Sequence, residues 1–237
     1  GQVTMKSTPY TRAVPFSRPP GRRRIEVFSP KIGRRVSLGG YDVYRTWLVI
    51  EANPDILTFC ERPTYIHGPR GPAIDFWVQL RGAPVGEFWI VESASPSASS
   101  SPSKSTSSPK AIDTPPPERP SHLHDLPVRY LSRADLIAWE IPIANWARIV
   151  PYLVSHRRYK DALLEQQIMA FLKDDQSLDA VVTHFDERDE ATLQASVFQL
   201  LGQGRVISPE LALRPLGGAT RFQRVPVVSA DLARSYR

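Results

Sequence analysis

Asp75 stands inside an otherwise apolar, strand-length run, Ala73-Ile74-Asp75-Phe76-Trp77-Val78, and a second run, Glu87-Phe88-Trp89-Ile90-Val91-Glu92, closes on another acid. Short runs rich in aromatic and β-branched residues, separated here by Arg81-Gly82-Ala83-Pro84, read as a β-hairpin. A half-buried carboxylate is costly unless it is paired or holds a cation. Two of them on neighbouring strands are therefore a candidate catalytic and metal site for a hard divalent ion such as magnesium, with Asp75 and Glu92 as ligands. The other reading of the same spacing stays open: Asp75 caps a turn and Glu92 ends its strand in solvent.

The hairpin closes a compact unit. Val43, Trp47 and Ile50 recur at i, i+4 and i+7, which predicts an amphipathic helix over 41–51. Asn53-Pro54 ends it, because the residue before proline is pushed out of the helical region. Two short apolar runs follow, Ile56 to Cys60 and Thr64 to Ile66, then a turn-rich piece from His67 to Pro72.

This order resembles the amino-terminal domain of TnsA-type transposon endonucleases, members of the PD-(D/E)xK nuclease superfamily. The resemblance is carried by the helix, Asn53-Pro54-Asp55-Ile56, Phe59-Cys60-Glu61-Arg62-Pro63, Ile74-Asp75-Phe76-Trp77-Val78 and Val91-Glu92. It implies that Asp75 and Glu92 occupy two metal-ligand positions. Two departures stand beside it: Val43 falls where the family has a helix glutamate, although Asp42 is adjacent, and Ala94 falls where the family has a lysine. That lysine helps activate the attacking water and stabilise developing charge, and alanine does neither. Lys104 and Lys110 follow only in a Ser/Pro tract. The expectation is a nuclease fold that has lost cleavage, with magnesium required only if activity remains.

Charge is strongly polarised. Over residues 1–37, nine cations face Glu26 alone, +8, while the whole chain carries +6 and the remainder therefore −2. Residues 1–24 hold Pro9, Pro15, Pro19, Pro20 and Gly21 and few apolar positions, so they read as a basic arm without an ordered core. Within the segment Arg22, Arg23, Arg24, Lys31, Arg34 and Arg35 are candidate phosphate contacts, the alternative being a solubilising tail or a localisation signal. Ile25 to Phe28 and Arg35 to Leu38 suit short strands leading into the unit. The single cysteine, Cys60, excludes an intramolecular disulfide, suits a reducing compartment and has apolar neighbours expected to bury it. No run approaches the ~20 apolar residues of a membrane span, so the expected location is cytoplasmic, with no membrane partner.

From Ser93 to Ser121 the sequence is Ser, Pro, Lys and Thr, too poor in apolar groups to order itself. His122 and His124 lack acid or Cys partners at ligand spacing. Pro127 to Leu131 reads as a strand and Ser132 to Leu136 as a helix start or turn. Ile141 to Ile149, with Asn145, resembles the end of the same TnsA-type domain. The nuclease-like domain thus runs over 25–155, interrupted at 93–125, and Arg157 and Arg158 form a second basic cluster beyond it.

Over 160–226 the pattern is that of a winged helix. Leu164, Ile168, Phe171 and Leu172 mark one helix, Ser177 caps a second, and Leu193, Val197, Leu200 and Leu201 mark a third that stops at Gly202. Arg205 to Ser208, Leu211 to Arg214 and Thr220 to Val225 make a ribbon with Gly217-Gly218 at its tip, and residues 227–237 are a tail. Winged helices place the third helix in the major groove and the wing on phosphate. Here the third helix begins Asp186-Glu187-Arg188-Asp189-Glu190, which repels phosphate, whereas Arg205, Arg214, Arg221 and Arg224 make the wing basic. DNA contact by the wing and protein docking by the helix stand as equal alternatives. The fold class expected is α/β (α+β): a restriction-endonuclease-like domain with a C-terminal winged helix. What the resemblance implies is a nuclease-deficient DNA-binding subunit working beside a transposase and an ATPase. The alternatives are an active magnesium-dependent endonuclease at transposon ends and a winged-helix regulator.

Overall fold

The computed structural model describes residues 10–16, 23–69, 71–92 and 119–226. Arg22, Ala94, Lys104, Lys110, most of the basic arm, the bulk of the Ser/Pro tract and the tail after Pro226 lie outside the described residues.

The chain enters through an antiparallel ribbon, β1 (Arg24–Ser29) and β2 (Arg34–Gly39), joined by a turn with Gly33 at φ 66°. Helix α1 (Tyr41–Ala52) follows, and its Val43, Trp47, Leu48 and Ile50 are buried, the face predicted from the period. Strands β3 (Ile56–Glu61), β4 (Phe76–Leu80) and β5 (Glu87–Val91) make an antiparallel meander. Thr64 to Ile66 contributes only the isolated bridge Tyr65–Ala73. Strands β6 (His122–Leu123) and β7 (Leu126–Leu131) complete a five-stranded mixed sheet in the order β3-β4-β5-β7-β6.

β5 and β7 are parallel, with Trp89 opposite Arg129. Parallel neighbours need a crossover of a dozen or more residues. The Ser/Pro tract therefore belongs to the link that the sheet order itself requires.

The sheet is buried on both faces, which is why β4 and β5 are almost continuously apolar. On one face Phe59, Phe76, Val78, Trp89 and Val91 meet α1 and the long helix α3 (Glu140–Ser155). On the other, Cys60, Ile74, Trp77 and Phe88 form a smaller cluster. Here the proline-rich amino-terminal arm departs from expectation. Tyr10 packs on Trp77 and Phe88 at ring-centroid distances of 5.9 and 5.4 Å. Val14 donates its N–H to Arg62 O at 2.8 Å, and Phe16 lies under the Arg62 guanidinium. Two aromatic side chains and a reciprocal pair of bonds between Val14 and Arg62, whose Nε donates to Val14 O at 3.2 Å, hold residues 10–16 on the sheet. Gly86 sits against the Trp77 indole, where a Cβ would collide.

Helix α2 (Arg133–Ala138) starts at Ser132 with a reciprocal cap: Asp135 N–H donates to Ser132 Oγ at 3.2 Å and Ser132 N–H to Asp135 Oδ2 at 2.8 Å. Beyond α3 come α4 (Ala162–Phe171), β8 (Gln176–Ser177), α5 (Leu178–His184), α6 (Glu190–Gly202), β9 (Val206–Ile207) and β10 (Arg221–Arg224). The predicted Ser177 cap is present, with Ala180 N–H donating to its Oγ at 3.1 Å, and Asp189 caps α6, accepting the Thr192 N–H at 2.9 Å. Strand β10 lies between β8 and β9 in a small antiparallel sheet.

The segment Leu211 to Arg214, expected as a strand, forms a 3-10 turn over Pro209–Ala212. Its carbonyls are taken by a side chain and not by a neighbouring strand. Asn145, buried in α3, donates from Nδ2 to Leu211 O and Arg214 O, both at 2.8 Å, and accepts the Leu216 N–H at 2.7 Å. Arg148 adds a bond to Leu216 O at 2.5 Å. The loop between β9 and β10 is thereby fastened to the helix that also covers the large sheet. One apolar cluster runs continuously from Val36 in β2 to Phe222 in β10.

Candidate functional site

Candidate groups gather at two places: the sheet end carrying Asp75 and Glu92, and a basic cleft between the ribbon, α3 and α6.

Asp75 occupies a bend one residue before β4 begins, and its Oδ2 accepts the Val91 N–H at 2.7 Å. Glu92 is the next residue after Val91; its own N–H donates to Leu131 O at 2.9 Å. The fold thus brings the two acids to one end of the β4–β5 pair, both half-buried. Glu92 Oε1 meets Arg119 Nη2 at 2.8 Å, with the Arg119 side chain 64% exposed. An ion pair that open contributes ~0–1 kcal/mol, so it is a weak competitor for a metal.

Donor count is what decides the fit to magnesium. One Asp75 oxygen is committed to a strand N–H, Glu92 faces a guanidinium, and Val43, where the resemblance places a third acid, is buried in the apolar core at 6% exposure. Asp42 is engaged along its own helix with Arg45 at 3.5 Å. Among the described residues no three His, Cys, Asp or Glu side chains converge on one point. Among the described residues the site offers two carboxylates, each already in contact with a partner, and no third acid, fewer oxygen ligands than a hydrolytic divalent-metal centre commonly gathers.

The candidate phosphate contacts divide sharply once placed. Arg34 forms a two-pronged pair with the nearly buried Glu61 at 2.7 and 2.8 Å, and that bonding pushes the guanidinium pKa up. Lys31 Nζ donates to Asn53 O and Ile56 O, both at 2.9 Å, and burial lowers its pKa. Arg24 is tied to Glu26 and Ser37. On the small sheet, Arg205 pairs with Glu165 at 3.0 Å and Arg221 with Asp175 at 2.5 Å. These five serve the fold first. Arg23, Arg35, Arg158 and Arg214 are exposed and Arg224 half-exposed, with no carboxylate partner among the described residues. Arg157 is exposed too, its guanidinium 5.0 Å above the Phe28 ring.

Arg157 and Arg158 stand at the mouth of a cleft of about 670 Å³. Phe28, Leu57, Trp146 and Leu153 give it apolar walls, and Arg81 and Lys160 join the two arginines at its rim. Its carboxylate is Glu51, buried at 3% exposure. Ser29 Oγ–H and the Lys31 N–H both donate to Glu51, yet burial dominates and pushes its pKa up. Sequence reading missed Arg81 and Lys160, because they are single cations in a turn and a linker. What unites them with residues 157–158 is folding. No helix among the described residues is long and apolar enough to cross a membrane.

Compared with known proteins, the chain matches no family model and no curated protein sequence.

Proposed function

We propose that this chain is a DNA-binding, nuclease-deficient component of a DNA transposition machinery, a scaffold or regulator with transposase and ATPase partners. The observation that carries the reading is the acid pair. Asp75 and Glu92 lie at the same sheet end, as a two-carboxylate nuclease site would require, but the apolar Val43 stands where the resemblance places a third acid and both carboxylates already have partners. Such a site fits descent from a cleaving enzyme better than cleavage itself. The chain order α4-β8-α5-α6-β9-β10 supports a winged helix as the carboxy-terminal unit. With Arg205 and Arg221 paired to acids and the β9–β10 loop bonded to α3, that unit is better suited to holding the assembly together than to inserting a free wing into DNA.

The test is incubation of the purified chain with supercoiled DNA and Mg²⁺ or Mn²⁺, alongside a gel-shift assay over a salt series. Retarded DNA without nicking supports the reading. Nicking that Asp75→Ala abolishes would establish the active endonuclease instead.

A further inference from the structure

We propose that the basic cleft between the β1–β2 ribbon, α3 and α6 is a binding site for unpaired nucleic acid, taking two or three nucleotides of a single strand. This rests on the DNA-binding reading above and adds which form of the polymer the cleft takes.

The cleft combines two properties that separate ligands. Its rim carries Arg157, Arg158 and Lys160, with Arg81 beside them paired to Asp55 at 3.7 Å and Lys31 deeper, against the one lining carboxylate Glu51, which is buried. Arg158 and Lys160 are exposed and have no acid partner among the described residues, so their charge is available. Its walls are apolar and partly aromatic, with Phe28 already carrying the Arg157 guanidinium.

A duplex presents phosphates on a convex cylinder and keeps its bases stacked inside, so it would use the rim and leave the apolar interior empty. An unpaired strand offers both groups at once, phosphates for the rim and a base face for the wall, which is the combination single-strand-binding grooves use. The ribbon that forms one wall belongs to the +8 segment. On that ribbon the exposed Arg35 stands opposite Phe28, so a strand leaving the cleft meets a further cation there. Because the walls come from β1, α1–β3, α3 and α6 together, the site exists only in the fully folded chain.

The experiment is fluorescence anisotropy with labelled oligo-dT and with a labelled duplex of equal length, over 50–300 mM salt. The proteins are the full chain, an Arg158→Ala/Lys160→Ala double variant and an Arg133→Ala/Lys173→Ala control, two exposed cations away from the cleft lining. Removing two phosphate contacts should lower the single-strand log–log salt slope by about 1.4, from ~0.7 per contact, and weaken low-salt affinity on the order of tenfold. Duplex binding should change much less, and the control should bind oligo-dT like the parent. Unchanged single-strand affinity and slope in the cleft variant, with duplex binding intact, overturns the site but leaves DNA binding standing. Loss of both forms in parallel makes the cleft a general phosphate contact and also overturns the single-strand assignment. If polyglutamate displaces oligo-dT at lower concentration than unlabelled oligo-dT does, the cleft belongs to an acidic protein segment. A parent chain that binds neither form sinks the DNA-binding reading itself.

Discussion

Asn145→Ala gives the sharpest test of how this chain is held together. In the native chain one carboxamide satisfies three backbone groups of the β9–β10 loop, the carbonyls of Leu211 and Arg214 and the N–H of Leu216, at 2.7–2.8 Å and with Asn145 only 1% exposed. Leu211 and Leu216 are buried, at 6% and 7% exposure, so their backbone groups find little water once the amide is gone. Arg214 is exposed, and its carbonyl is readily rehydrated. A buried backbone group left unpaired costs about 1–3 kcal/mol, so two of them plus a small cavity amount to about 3–5 kcal/mol. For a domain of this size that corresponds to roughly 10 °C or more in Tm. Urea unfolding followed by tryptophan fluorescence measures it, and limited proteolysis of residues 213–219 should accelerate in the variant. Asn145→Asp supplies the discriminating comparison. It keeps the size and the acceptor for Leu216 but loses both donors and sets a carboxylate against two carbonyls, so at neutral pH it should be at least as damaging as alanine. A loss below ~1 kcal/mol for alanine, or an aspartate variant close to the parent, would refute the clamp.

The buried Glu51 makes a prediction with a definite sign. Burial raises its pKa in the folded chain. A raised carboxyl is stabilised relative to the unfolded chain only while protonated, so its stabilising contribution is present below the unfolded value near 4.5 and lost as pH rises through the folded value. Stability of the parent should therefore fall relative to Glu51→Gln between pH 4.5 and neutrality in urea titrations, and a parent that holds level with or gains on Glu51→Gln over that range contradicts this. Addition of millimolar Mg²⁺ or Mn²⁺ should leave Tm unchanged within about 1 °C, since a site occupied at 100 times its Kd would add ~2.7 kcal/mol; a rise of several degrees, lost in Asp75→Ala, shows a competent metal site. The Cys60 thiol, fully buried and pushed up to about 11, should resist a thiol-specific disulfide reagent in the native state and react at once in denaturant. Fast native labelling means the sheet face carrying it is open.

Local pattern carried much of the architecture. The period of Val43, Trp47 and Ile50 and the stop at Pro54 sufficed for α1, because helix periodicity and proline geometry act within a few residues. The apolar runs marked β3, β4, β5 and β7, and the Ser177 and Asp189 side chains cap helices in the structure. The hairpin that carries the two acids was legible for the same reason: aromatic, β-branched runs and a short turn fix which strands are neighbours.

What the sequence by itself determined was therefore most of the helices and strands, the polarised charge and the placing of Asp75 and Glu92 on the two arms of one hairpin. Only the tertiary structure decided which charges are spent. Arg34 looked like any member of the basic segment until Glu61, 27 positions away, was folded against it, and Arg205 and Arg221 met Glu165 and Asp175 over 40 and 46 positions. It also decided that Leu211 to Arg214 is a turn, since its hydrogen-bond partner is one asparagine on a helix 66 residues earlier. The cleft that gathers Arg81, Arg157, Arg158 and Lys160 has no signature in any window of the chain. Its walls are contributed by elements that chain connectivity leaves far apart and that burial of a shared apolar core brings together.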